Sequence, residues 1–132
     1  MIARAVCHHR GVTATVLVVD DHPSFRRFAR RLLESAGFAV VDEASDGVSA
    51  LAAVRALRPD VVLLDVLLPD TTGFELAEAW SADPQGPVVV LTSSRSEVDL
   101  GTALGRSGAR GFIAKRDLTA AVFAALVDGA AA

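Results

Sequence analysis

Short apolar runs alternate along the chain with stretches in which apolar residues recur every three or four positions. Thr15–Val19 is a β-branched run closed by Asp20-Asp21, the pattern of a buried strand. From Pro23 the spacing changes. Phe25, Phe28, Leu32 and Ala36 fall on one helical face, with Arg26, Arg27, Arg30 and Arg31 mostly on the other, solvated one. Pro23 suits a first turn and Gly37 a stop. Phe25 and Phe28 are expected in the core, and Trp80 as a partly buried anchor.

The same alternation continues to the end of the chain. Phe38–Val41 reads as a short second strand, with Asp42-Glu43 solvated at its end. Gly47–Leu57 reads as an Ala-rich helix, Val61–Asp65 as a third strand, Phe74–Trp80 as a short helix and Val88–Leu91 as a fourth strand. Val61–Leu64 is apolar throughout, as a strand covered on both faces should be. Ser94-Arg95-Ser96-Glu97 has capping-box spacing and starts a predicted helix running to about Gly105. Gly111–Ala114 is a fifth strand. Asp117 is the expected cap of a last helix striped by Leu118, Val122 and Leu126. Residues 1–14 match no element and read as an arm, 15–128 as one domain, and 129–132 as a frayed tail.

Five strands, each followed by a helix, imply a parallel α/β sheet with helices on both faces. Ligands of such sheets bind outside the carboxyl ends of the strands. The first strand ends in Asp20-Asp21, the third in Asp65, the fourth in Thr92 and the fifth in Lys115. Taken singly, the acidic pair reads as a solvated strand end, Thr92 as an ordinary strand threonine, Lys115 as a surface lysine and Asp70 as a turn residue. Brought together, three carboxylates require compensation. A hard dication such as Mg²⁺ supplies it, and Lys115 adds a fixed positive charge. The combination suits phosphoryl transfer, with Asp65 as the best candidate nucleophile.

Composition narrows the alternatives. The chain has 132 residues, one domain's worth, and 52% of them are apolar, enough for a single core. Thirteen basic against 16 acidic residues give a formal charge of −3, poor footing for binding nucleic acid directly. One cysteine, Cys7, excludes an internal disulfide and fits a cytoplasmic protein. Cys7-His8-His9 lacks metal-ligand spacing with other cysteines. No apolar run approaches the roughly 20 residues of a membrane span, and the start of the chain does not read as a signal peptide.

Four blocks, VLVVDDHPSFRR at 16–27, PDVVLLDVLLPDTTGFEL at 59–76, VVVLTSS at 88–94 and GARGFIAKRDL at 108–118, stand in the order and spacing of response-regulator receiver domains. The chain resembles that family over about residues 15–128. The resemblance implies a flavodoxin-like doubly wound (βα)5 fold with strand order 2-1-3-4-5. It implies that Asp65 is the phosphoacceptor, taking its phosphoryl group from a histidine kinase or phosphotransfer protein. Asp21 and Asp65 would bind Mg²⁺ (or Mn²⁺) directly, Asp20 through water, and Leu67 through its backbone carbonyl. Thr92 and Lys115 would hold phosphoryl oxygens, and Phe112 stands at the family's aromatic switch position. Leu67 and Ser94, two residues after Asp65 and Thr92, would flank the water that hydrolyses the phosphoryl group.

The sequence departs from the family where Arg116, not proline, follows the lysine. A cis bond there would cost about 3 kcal/mol without proline, so a cis turn is not expected. The resemblance further implies a change at the face of the fourth helix, fifth strand and fifth helix, read by a downstream protein. The chain would be a stand-alone receiver, monomeric or a weak phosphorylation-linked dimer, with no separate substrate turnover. Three rival readings fit the sequence less well. An aspartyl-phosphate phosphatase wants an acid at position 67, where leucine stands. A degenerate receiver serving as a phosphorylation-independent binding module would lack the complete acidic set. A flavin carrier would need a Ser/Thr-rich phosphate loop after the first strand, where DDHPS stands.

Overall fold

The structure is a computed structural model and describes residues 13–94 and 101–129. Its β-branched and leucine-rich runs form strands β1 (Thr15–Val19), β2 (Ala39–Ala44), β3 (Val61–Asp65), β4 (Val88–Ser93) and β5 (Gly111–Ala114). They make one parallel sheet in the order β2-β1-β3-β4-β5. Between and after them run helices α1 (Pro23–Ser35), α2 (Gly47–Leu57), α3 (Gly73–Ser81), α4 (Gly101–Ser107) and α5 (Ala120–Gly129). This is the doubly wound architecture that the strand–helix alternation implied.

The strands are apolar on both faces because both faces are covered. Val16, Val18, Val61, Leu63, Val90 and Ile113 face α1 and α5, meeting Ala29, Leu33, Phe123 and Val127. Leu17, Val19, Val62, Leu64, Val89 and Leu91 face the other way, meeting Ala50, Leu76, Ala77 and Trp80 of α2 and α3. The period of two sends neighbours to opposite cores. Each fully buried Leu or Val contributes about 2 kcal/mol. Phe38 and Phe123 lock the first core edge to face, with centroids 5.1 Å apart.

Several expectations shift. On α1 the buried centre is Ala29 and Leu33, flanked by Phe25, Leu32 and Ala36. Phe28, expected in the core, is 48% exposed because it sits at the rim of that stripe. Trp80 is buried outright rather than in part. β2 runs to Ala44 and β4 to Ser93, past the apolar runs that marked them. β2 is an edge strand, so Asp42 and Glu43 can belong to it. Glu43 is not merely solvated: it pairs with Arg26 at 3.0 Å and Arg30 at 2.7 Å, so two of the α1 arginines are tethered.

At the other end, α4 continues to Ser107, and its expected capping box falls largely outside the described residues. Asp117 does not cap α5. It closes a single 3-10 turn at Lys115–Asp117, and Thr119 Oγ1 accepts from Val122 N–H instead. The buried stripe of α5 is therefore Phe123 and Val127, while Val122 is exposed. The described chain has no cis peptide, so Lys115–Arg116 is trans, as expected. Ala14, assigned to the arm, is buried, and its carbonyl accepts from Ala39 N–H. Cys7, His8 and His9 lie outside the described residues.

Candidate functional site

The carboxyl ends of β1, β3, β4 and β5 meet, as the strand-end reading required. Asp20 follows β1, is fully buried, and receives the Arg26 guanidinium on its backbone carbonyl at 2.7 Å. Its Oδ1 accepts from His22 N–H at 2.8 Å, turning the chain into α1, where Pro23 occupies the first turn. Asp21 reaches outward from this turn and is exposed. Asp65 ends β3 and is buried; Leu67 N–H approaches its Oδ1 at 3.3 Å.

Gly73 N–H donates to Val66 O, and a Cβ at Gly73 would run into the Asp65 carbonyl oxygen. Only glycine lets the loop after Asp65 fold back this closely.

Thr92 lies beside Asp65 in the sheet register. Its hydroxyl oxygen is buried without a hydrogen-bond partner. Lys115, just past β5, places Nζ 2.6 Å from Asp20 Oδ2 and 3.5 Å from Asp65 Oδ2. The closer contact is off hydrogen-bond alignment, so Asp20 Oδ2 has charge compensation but no aligned donor. Phe25 of α1 lies under the ammonium, 4.6 Å from ring centroid to Nζ.

Burial, and next the Asp20 charge, push the Asp65 carboxyl up to about 6, with Lys115 and Leu67 N–H pulling the other way. One ammonium does not balance three carboxylates. Donor atoms of Asp20, Asp21, His22 and Asp65 lie within 4.8 Å of one another. An excess of hard oxygen donors around a carboxylate in need of charge fits a divalent cation.

The remaining expected residues flank this centre. Leu67 is 47% exposed and bridges to Thr72. Ser94 is exposed, at the edge of the described region. Phe112 is half-buried against the core on the α2–α3 side. Three participants escaped the sequence reading: His22, Phe25 as a support for Lys115, and Asp70. Asp70 is more than a turn residue, because its carboxylate accepts from Gly47 N–H and Val48 N–H at the start of α2. The adjacency of His22 to the acidic pair was a signal available in the sequence; the reach of Asp70 across 23 positions was not. A groove of about 360 Å³ between Arg55, Arg58, Trp80 and Pro87 lies at the opposite end of α2 and shares none of these residues.

Comparison with known proteins agrees with this geometry. The family model for the response regulator receiver domain matches residues 16–126. The DNA-binding response regulator MtrA of Mycolicibacterium smegmatis is 42% identical over 102 residues, 76% of this chain and 43% of MtrA. Protein-glutamate methylesterase/protein-glutamine glutaminase 3 of Hahella chejuensis is 39% identical over 89 residues, 67% of this chain and 26% of that protein. The chain thus spans less than half the length of these curated relatives. Among solved structures, the signal receiver domain of NarL from Mycobacterium tuberculosis superposes with a TM-score of 0.76 at 35% identity, covering 90% of this chain and 93% of that one. With the strand order, the converging acidic cluster and the matched motifs in agreement, the chain belongs to the response regulator receiver domain family.

Proposed function

We propose that this receiver is a phosphorylation switch in which Asp65 accepts a phosphoryl group from the phosphohistidine of a kinase or phosphotransfer protein. The observation that carries the reading is the convergence of buried Asp65 with Lys115, Asp20 and the unpartnered Thr92 hydroxyl. A carboxylate oxygen of Asp65 attacks phosphorus, the bond to the donor nitrogen breaks, and its electron pair leaves with the imidazole. Lys115 is positioned to hold an oxygen of the transferring group, and Thr92 to donate its hydroxyl to another. Asp20, Asp21, Asp65 and the Leu67 carbonyl are the residues to hold Mg²⁺ or Mn²⁺. When bound, the ion neutralises charge on the phosphoryl oxygens.

Once Thr92 turns to the phosphoryl group, Phe112 can pack further inward, and the surface of α4, β5 and α5 changes for a downstream protein partner. Such a local charge event needs no turnover of a separate substrate. Leu67 and Ser94 would flank the attacking water, and Leu67 offers it no hydrogen bond, so the phosphorylated form is expected to be long-lived. The setting is cytoplasmic; among the described residues no helix is long and apolar enough to cross a membrane. Self-association, if phosphorylation induces it, is weak.

The test is incubation with a small acyl phosphate and Mg²⁺, followed by intact-protein mass spectrometry. A single phosphoryl adduct that requires Mg²⁺ and is lost in Asp65→Asn is expected. Equal labelling of Asp65→Asn would overturn the assignment. Unchanged self-association and partner capture with a phosphate mimic would overturn the switch.

A further inference from the structure

The acidic turn holds a nitrogen donor beside its carboxylates. His22 Nδ1 lies 3.0 Å from Asp20 Oδ1 and 3.1 Å from Asp21 Oδ1. A neutral imidazole has at most one proton at Nδ1 and cannot donate fully to both carboxylates. An octahedral ion with bonds of about 2.1 Å places adjacent donors about 3.0 Å apart. Both nitrogen–oxygen spacings match that edge, and Asp65 supplies a further oxygen within 4.8 Å of the set.

A second observation points to a ligand here. Thr92 Oγ1, beside Asp65, is buried and unpartnered, while the fully buried Asp20 meets Lys115 Nζ on its Oδ2 and keeps Oδ1 toward the imidazole. The imidazole itself is 65% exposed, so no packing requirement holds it over the carboxylates.

We infer that His22 is a protein ligand of this site and makes it selective for borderline transition-metal dications, such as Co²⁺, Ni²⁺ or Zn²⁺, over Mg²⁺. Mg²⁺ prefers oxygen donors and keeps its waters, whereas imidazole nitrogen suits the later divalent ions. The oxygen set alone serves Mg²⁺; the nitrogen adds affinity only for the borderline ions. The inference rests on the proposed reading to the extent that the acidic cluster binds a divalent cation at all.

The test is titration of the full chain with Co²⁺, followed by visible absorption, and with Mg²⁺, followed by calorimetry, in the wild type, His22→Phe and His22→Gln. Because the ring is exposed, both variants should fold, as circular dichroism would verify. Loss of His22 is expected to weaken Co²⁺ binding about tenfold or more while Mg²⁺ affinity stays within about twofold. In ¹⁵N-histidine spectra the His22 signal should be shifted or broadened by Co²⁺ and not by Mg²⁺. Co²⁺ affinity unchanged in both variants, or Co²⁺ signals confined to His8 and His9, would overturn the inference and leave the phosphoacceptor reading standing. If neither Mg²⁺ nor Co²⁺ binds the wild type, the proposed cation site falls, and the inference falls with it.

Discussion

Lys115 sits closer to Asp20 than to Asp65: Nζ is 2.6 Å from one carboxylate and 3.5 Å from the other. The ammonium thus mainly offsets the carboxylate with no solvent access, leaving Asp65 to be neutralised by something else. At low pH that something is a proton, which is why burial lifts the Asp65 carboxyl to about 6. Protonated Asp65 is a poor nucleophile; a cation arriving in the cluster restores the anion.

Asp65 therefore opposes folding above its acidic range. Its folded pKa is raised, so the native state binds more protons than the unfolded one between about pH 4 and 6, and stability falls as pH rises through that window. In chelator-treated protein, Asp65→Asn should be more stable than wild type at pH 7, by on the order of 2 kcal/mol, and no more stable near pH 3. Urea unfolding at the two pH values checks this.

Glu43 acts with the opposite sign. Its hydrogen bond with Arg30, and secondarily that with Arg26, hold its carboxyl below the usual range. Its contribution is present above the unfolded glutamate pKa and is lost as pH falls through the lowered folded value. Glu43→Gln should be less stable than wild type at pH 7, with the difference shrinking toward pH 3. Denaturation midpoints across that range measure it.

Thr92→Val removes a buried hydroxyl that has no partner in the resting fold. The variant should match or exceed wild-type stability, by up to about 1 kcal/mol. Its yield of acyl-phosphate-driven labelling, or the lifetime of the product, should fall. A loss of stability comparable to that of a core truncation would show that the hydroxyl is satisfied.

Gly73→Ala forces a Cβ against the Asp65 carbonyl oxygen and to within 3.0 Å of Val66 Cα, both backbone atoms that cannot rotate away. A destabilisation of about 3 kcal/mol is expected, with reduced Mg²⁺ binding because the loop carrying Leu67 must shift. Thermal unfolding and calorimetry test the two effects separately.

What the sequence made legible was local. β3, α2 and β5 have the bounds read from their runs, because an apolar or alanine-rich stretch is a signal within one element. The residues at the four strand ends converge because the topology leaves them little choice. What failed depended on neighbours. Phe28 and Val122 are apolar enough for the core, but the centre of each helix face is set by the sheet beneath it, and α5 is so rich in alanine that its stripe has little contrast. Glu43 looked solvated because nothing local shows that the α1 arginines lie over the edge of β2. His22 stood in view beside the acidic pair, and its role emerges only from the spacing of its ring nitrogen to both carboxylates.

The Asp70 carboxylate gives the phosphoacceptor loop a remote gauge. It fastens the residues that follow Asp65 to the amides of Gly47 and Val48, on a different helix. Those two amides should exchange slowly with solvent deuterium while the loop keeps its resting shape, and faster once it moves. Exchange at Gly47 and Val48 would thus record the state of the loop from outside the acidic cluster, with no label placed near Asp65.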